Sequence, residues 1–285
     1  MHPETGWTLK PLVPLSTAEF DNWCQLLEER SGIVWREDRK SYLEVRLTSR
    51  MRELGIADYD SYYHQVLQGT RGTLEWSHLL DRLTVQETRF FRHPPSFDFA
   101  LEHLQQRLLA GREALGLWSV GCSTGQEAWS LAMIAADAVR LAGSEVGFSV
   151  MATDISRSAL TTARQALYSA QAIEPVSPAM RKRYLQAQED GSYRVSKVLA
   201  RRMCFARINV LELANLPFSG MDLVFCQNVL IYFRRWQRRS ILNQLVERLL
   251  PGGVLVLGVG EITGWEHPDM LPVHNDKILA FVRKG

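Results

Sequence analysis

Apolar side chains recur at helical spacing over the first ninety or so residues. Phe20, Trp23, Leu26 and Leu27 mark one such face. Ser16-Thr-Ala-Glu19 opens it as a capping box, in which the serine oxygen accepts a free backbone N–H and the glutamate reaches back, and Gly32 closes it. A second helix is predicted from Asp38 to Leu54, with Leu43, Leu47 and Leu54 on its apolar side and Gly55 as the stop; further helices begin near Asp58 and Thr73. No strand is predicted in this region. After about residue 110 the grammar changes to short apolar runs: Leu117–Val120, Val146–Ala152, Cys204–Ile208, Asp222–Cys226, Val254–Leu257 and Ile278–Val282. Amphipathic segments (Gln126–Leu141, Ser158–Leu167, Gln237–Leu250) lie between them. That alternation predicts an α/β fold, a largely parallel sheet with helices on both faces. Such sheets bind ligands beyond the carboxyl ends of their strands.

One crossover is too long. From Asp154, the end of the second strand, to Cys204, a helix and short loop leave about 25–30 residues over. Asp190-Gly191-Ser192 is a tight-turn signal between Tyr184-Leu185 and Tyr193-Arg-Val195, so a small β-hairpin subdomain is read there, with a disordered loop as the alternative. The predicted organisation is a tail over 1–15, a helical domain over 16–92 and a sheet domain over 93–285, with the insertion at about 171–203.

Composition narrows the class. At 46% hydrophobic and 22% charged the chain is an ordinary globular one, and a net charge of +2 makes any basic surface a local matter. No run of about 18 apolar residues is present to cross a bilayer, and MHPETGWTLKPLVPL lacks the order of a signal peptide. The four cysteines are scattered, as are the seven histidines, which argues for free thiols in the cytosol and against a metal site.

The strand ends carry the candidate chemistry. Leu117-Trp-Ser-Val-Gly121-Cys-Ser-Thr-Gly125-Gln-Glu127 runs a buried strand into a glycine turn, where backbone amides can approach a ligand and Ser123 with Gln126 can cap the next helix. The run is neither GxGxxG nor a P-loop. It matches the G-x-S-x-G elbow of hydrolases, but that rival needs sheet strands before the serine. A merely tight turn is the structural alternative. Asp154 can accept both hydroxyls of a ribose or cap the following helix. Asn209 and Asn228 follow the third and fourth strands, each either a ligand contact or a turn residue. No Asn/Asp-Pro-Pro-Tyr follows the fourth strand, and no obvious catalytic histidine or lysine flanks the site. An amine or hydroxyl acceptor needs a base. A glutamate carboxylate, with an unperturbed pKa of about 4.3, is already ionised and needs only alignment.

Taken together, Gln86-Glu-Thr88-Arg-Phe-Phe-Arg92, Val120-Gly-Cys-Ser-Thr-Gly-Gln-Glu127-Ala-Trp-Ser, Ala152-Thr-Asp154-Ile, Phe225-Cys-Gln-Asn228-Val-Leu-Ile-Tyr232-Phe and Leu250-Pro-Gly-Gly-Val-Leu-Val-Leu-Gly-Val-Gly-Glu261 resemble the motifs of the CheR family of protein-glutamate methyltransferases. The match runs from about Phe20 to the C-terminus. The resemblance implies a class I, Rossmann-like methyltransferase sheet with a small antiparallel insertion and an all-α N-terminal domain. It also implies S-adenosylmethionine as cofactor, S-adenosylhomocysteine as product, and glutamates of chemoreceptors as substrate. By position, Gln86, Thr88, Arg92, Glu127, Asp154, Asn209, Val210, Gln227 and Asn228 line the cofactor pocket. Arg92 and Tyr232 stand near the transferred methyl: Arg92 to hold the substrate carboxylate or to form a salt bridge between domains, Tyr232 to shape the pocket or serve the core. Glu127 binds the cofactor's ammonium or favours the helix start.

Gln86 for Asn, Gln227 for Arg and Gln126 for a carboxylate depart from the family pattern without removing a required group. The loop around Asp190-Gly191 is about three residues shorter than in members that dock a receptor's C-terminal tail, so no dependence on such a tail is expected. From Arg39 to Arg52 stand Arg39, Lys40, Arg46, Arg50 and Arg52 against Glu44 alone. Arg39, Arg46 and Arg50 are read as contacts for an acidic receptor helix, with a solvated face as the alternative. A monomer is expected, with no nucleic-acid partner and no membrane insertion. Other class I methylation, or a non-catalytic protein that senses the cofactor, are the competing functions.

Overall fold

The computed structural model describes residues 13–285; the first twelve, with most of the expected tail, lie outside the described residues. Leu15, assigned to that tail, is buried. The chain divides after Thr84.

The first unit is helical: α1 (Thr17–Ser31), α2 (Lys40–Leu54), α3 (Tyr59–Leu67) and α4 (Gly69–Leu83). Both halves of the capping box at α1 are made, Glu19 N–H to Ser16 Oγ at 3.2 Å and Ser16 N–H to Glu19 Oε2 at 2.9 Å. Gly32 ends the helix at φ 77°, a left-handed conformation that suits glycine. Trp23, Leu27, Leu43, Leu47, Met51 and Tyr62 are all fully enclosed.

The second unit begins at Val85 rather than at 93, because the run before the expected boundary belongs to it. Phe90 is buried edge-on against Tyr168, and Phe91 N–H donates to Ser130 Oγ at 3.1 Å. Its elements are α5 (Pro94–Leu109), β1 (Ala114–Val120), α6 (Gln126–Leu141), β2 (Gly147–Asp154), α7 (Arg157–Gln165), β3 (Leu167–Tyr168), α8 (Pro178–Tyr184), β4 (Leu185–Ala187), β5 (Tyr193–Val195), α9 (Lys197–Ala200), β6 (Met203–Arg207), β7 (Met221–Cys226), α10 (Arg235–Arg248), β8 (Leu249–Leu257), β9 (Met270–Pro272) and β10 (Leu279–Arg283). The main sheet runs β6-β2-β1-β7-β8-β10-β9, its first five strands parallel and β10 and β9 antiparallel. Apolar residues on both faces explain the continuous runs: every residue of β7 is buried.

From β1 the chain builds outward through β2 and β6, then returns to place β7 on the other side. That reversal opens a crevice at the carboxyl ends of β1 and β7. The insertion is a three-stranded antiparallel sheet, β3-β5-β4, and its Gln188–Ser192 turn is tight, with Gly191 at φ 80°. The insertion takes β3 as well as the hairpin, so it starts at Leu167, ahead of the expected 171.

At the opposite end of β7 the fully enclosed Asp222 gathers cations. Its Oδ1 lies 3.0 Å from Nε of both Arg107 and Arg112, and its Oδ2 accepts from Gly116 N–H at 3.0 Å. His103 Nε2 lies 3.2 Å from its carbonyl oxygen. No helix among the described residues is long and apolar enough to cross a membrane.

Candidate functional site

The turn after β1 folds onto the end of β2, Gly121 and Cys122 N–H both donating to Thr153 O at 2.8 and 2.9 Å. This brings Asp154 under the turn. Its Oδ2 accepts from Ser123 N–H at 2.7 Å and its Oδ1 from Ser156 N–H at 2.8 Å. Ser156, not Asp154, caps α7. Asp154 therefore organises the loop. The glycines serve close packing here: a Cβ on Gly121 would sit 2.4 Å from Val229 Cγ2, and one on Gly125 would sit 2.7 Å from Ala163 Cβ. The cap expected from Ser123 with Gln126 is not made. Gly125 stands at the α6 start with no side-chain cap, and Ser123 Oγ instead donates to Gln86 Oε1 at 3.0 Å. Thr88 and Arg92 follow on the same run, both half-buried.

At β7 the buried Gln227 donates through Nε2 to Ser96 Oγ at 3.0 Å and to Leu257 O at 3.2 Å. Ser96 also meets His93 Nδ1 at 2.8 Å. Asn228 follows at φ 59° and Tyr232, half-buried, closes the short helical turn after it. Asn209 uses its Oδ1 to accept from Leu211 N–H at 3.1 Å, the capping role, with Val210 beside it. Phe91, Ser123 and Asn228 all hold positive φ without being glycine. Such backbone clusters at sites where surrounding structure dictates a strained geometry.

Glu127 and Glu261 are the acidic features of the crevice. Ser119 Oγ donates to Glu127 Oε1 at 2.6 Å. Burial pushes the Glu127 carboxyl up to about 7, against the Ser119 bond; Glu261 adds to the rise and Arg92 opposes it. Glu261 is 2% exposed and accepts from Gly258 N–H at 3.1 Å. Burial raises it to about 7 as well, opposed by Gly258, Arg238 and the backbones of Val229 and Asn228. Sequence reasoning passed over Glu261, Ser96, Ser119 and His93. Only the end of the Leu250–Glu261 motif pointed to one of them.

These shifts carry a stability consequence. Both carboxyls have folded pKa values above their unfolded ones, so their contribution is full below about pH 4.5 and is lost as pH rises through about 7. The ligand-free protein is expected to melt at lower temperature at pH 8 than at pH 5.5, and Glu261→Gln to flatten that slope in a calorimetric pH series. An unchanged slope would count against the burial argument.

Cys122 and Cys226, at the ends of β1 and β7, are fully buried thiols. Among the described residues no group of His, Cys, Asp and Glu is arranged to hold a metal ion.

The basic residues of the helical unit fall into two sets. Arg39 and Arg46 are exposed, Arg39 over the Trp35 ring and Arg46 at 4.9 Å from the Tyr42 ring centroid. Arg50 is largely enclosed: it donates to Glu75 Oε1 and Oε2 at 2.8 and 2.7 Å and to Glu53 at 2.9 Å, while Tyr62 Oη donates to Glu75 at 2.7 Å. Arg50 thus ties α2 to α4, and its ion pairs leave it little to offer an outside partner.

Two family models match, one described as CheR methyltransferase, all-alpha domain, over residues 18–84, and one as CheR methyltransferase, SAM binding domain, over 86–278. The chain belongs to the CheR methyltransferase family. Chemotaxis protein methyltransferases of Salmonella typhimurium and Escherichia coli K12 are 34% and 32% identical to it, each over 87% of this chain and over 84% and 85% of their own lengths. One of Borreliella burgdorferi is 28% identical over 87% of this chain and 89% of its own length. This CheR chain is accordingly a chemotaxis protein methyltransferase that uses S-adenosylmethionine, and its crevice suits that molecule. Asp154 at the end of β2 and Glu127 in the first turn of α6 both face the turn after β1 as carboxyls.

Proposed function

We propose that the chain methylates glutamate side-chain carboxylates of methyl-accepting chemotaxis receptors, giving glutamate methyl esters, in the cytoplasm. Bound S-adenosylmethionine supplies an electrophilic methyl and leaves as S-adenosylhomocysteine. The observation that carries the reading is Arg92. Its guanidinium donates to Glu87 O at 3.1 Å and lies 3.7 Å from the exposed Glu87 carboxylate, and its charge reaches Glu127, so a half-buried cation stands in the crevice. Such a cation suits a two-pronged grip on an incoming carboxylate. The acceptor arrives ionised, so no residue has to remove a proton and alignment is the main requirement. His93, engaged with Ser96, is not needed as a base.

Asp154 takes the ribose hydroxyls, Glu127 the ammonium, and Gln86, Thr88, Asn209, Val210, Gln227 and Asn228 frame the pocket. Tyr232 bounds the acceptor side. Arg39 and Arg46, exposed on the helical unit, steer the acidic receptor segment, while Arg50 shapes the helix that presents them. The deciding experiment incubates the protein with methyl-labelled cofactor and a receptor cytoplasmic domain. Base-labile label on the receptor, released as methanol, supports the reading; label on RNA or a small molecule, or bound cofactor with no transfer, defeats it. The short Gln188–Ser192 turn further predicts that an immobilised receptor-tail peptide will not retain the protein. Retention by that peptide alone would overturn this point.

A further inference from the structure

Between Asp222 and Glu247 the sequence holds four arginines, Arg234, Arg235, Arg238 and Arg239, and no acid. They crowd the start of α10, whose first turn has no acidic residue. A helix start favours negative charge, so this arrangement runs against local preference. Local rules broken at the surface point to an outside reason.

Arg238 and Arg239 tie segments together. Arg238 donates to Phe233 O and Glu261 O at 2.8 Å each, and Arg239 donates to Gly264 O at 2.9 Å. They clamp the turn after β7 and the loop after β8 to the start of α10. Arg234 and Arg235 are exposed on that clamped platform. The same three segments carry large apolar side chains in the open: Trp236 at 67%, Ile231 at 49% and Val259 at 63% exposure. Tyr232 lies next to Ile231 and Asn228 begins the same turn, so the platform borders the crevice.

We propose that Ile231, Trp236 and Val259, flanked by Arg234 and Arg235, form a docking lip for the acidic protein segment that carries the target glutamate; the choice of occupant rests on the methylation of receptor glutamates proposed above. Trp and Arg together are the residues that most often dominate protein interfaces. The charge complements a glutamate-bearing segment, and the apolar side chains match the hydrophobic side of an amphipathic helix. Nucleic acid suits the lip less, since single strands bind on successive aromatic faces and Trp236 is the one exposed aromatic of the three segments.

The test compares wild type, Trp236→Ala and Arg234→Glu/Arg235→Glu for binding and methylation of a receptor cytoplasmic fragment, with cofactor affinity measured by calorimetry. Each variant is expected to raise KM and Kd for the fragment about tenfold, with kcat and cofactor affinity within about twofold of wild type. The charge-reversed variant should also lose most of the salt dependence of KM. Unchanged KM and Kd, a defect in kcat alone, or tighter binding of a labelled RNA through the same residues would overturn the lip. Wild type that methylates the fragment while both variants match it removes the lip and keeps the proposed reaction. Wild type that binds the fragment through Trp236 yet forms no ester keeps the lip and removes the reaction.

Discussion

Replacing Arg92 with Ala is expected to lower kcat/KM for receptor methylation about a hundredfold, the scale of one lost charge-stabilising donor. The guanidinium sits half-buried and donates to Glu87 O, which orients it toward the crevice side of the run. Arg92→Lys should restore part of the loss, because it keeps the charge but not the planar fork. Removing the cation also takes away an influence that lowers the Glu127 carboxyl, so the pH at which cofactor affinity reaches half its alkaline value should rise in the variant. Near-normal turnover in Arg92→Ala would end its proposed part in holding the carboxylate.

The second large effect concerns folding. Asp222→Ala is expected to cost about 3–5 kcal/mol in chemical denaturation, since it strands Arg107 and Arg112 without their shared counter-ion. Gly116 N–H also loses its acceptor. The cluster lies at the opposite end of β7 from the crevice, so the folded fraction should bind S-adenosylmethionine normally. A loss below about 1 kcal/mol would show that solvent or neighbouring groups replace the carboxylate readily.

Elements with a strong period and clear punctuation were legible from sequence. The alternation after residue 110 pointed to the parallel strands, and Asp190-Gly191-Ser192 to the inserted hairpin. Helix α5 was not anticipated because Pro94-Pro95 reads as a break, although proline suits the first helical positions. Strand β9 is too short to carry a pattern. Strand-end position singled out Asp154, Asn209 and Asn228 as candidates, but side-chain use depended on distant partners. Ser123 turns to Gln86 and not to α6, and Arg50 meets Glu75 twenty-five positions away. Glu261 follows Gly-Val-Gly and looks like a loop residue, yet it is buried beside the Asn228 and Val229 backbone and Arg238 of α10. Asp222 opens a predicted strand, and nothing in the local sequence marks Arg107 and Arg112 as the partners the fold brings to it.

The two enclosed thiols bear on selectivity. A sulfonium methyl reacts with any strong nucleophile, and a thiolate is a stronger one than a carboxylate. Cys122 and Cys226 flank the crevice, yet burial pushes both well above the ordinary thiol range, and the neighbouring carboxyls push further: Asp154 and Glu127 on Cys122, Glu261 and Glu127 on Cys226. Burial thus favours the protonated form of both thiols, and the acidic groups that make the crevice attractive to a cation add to that bias against their alkylation.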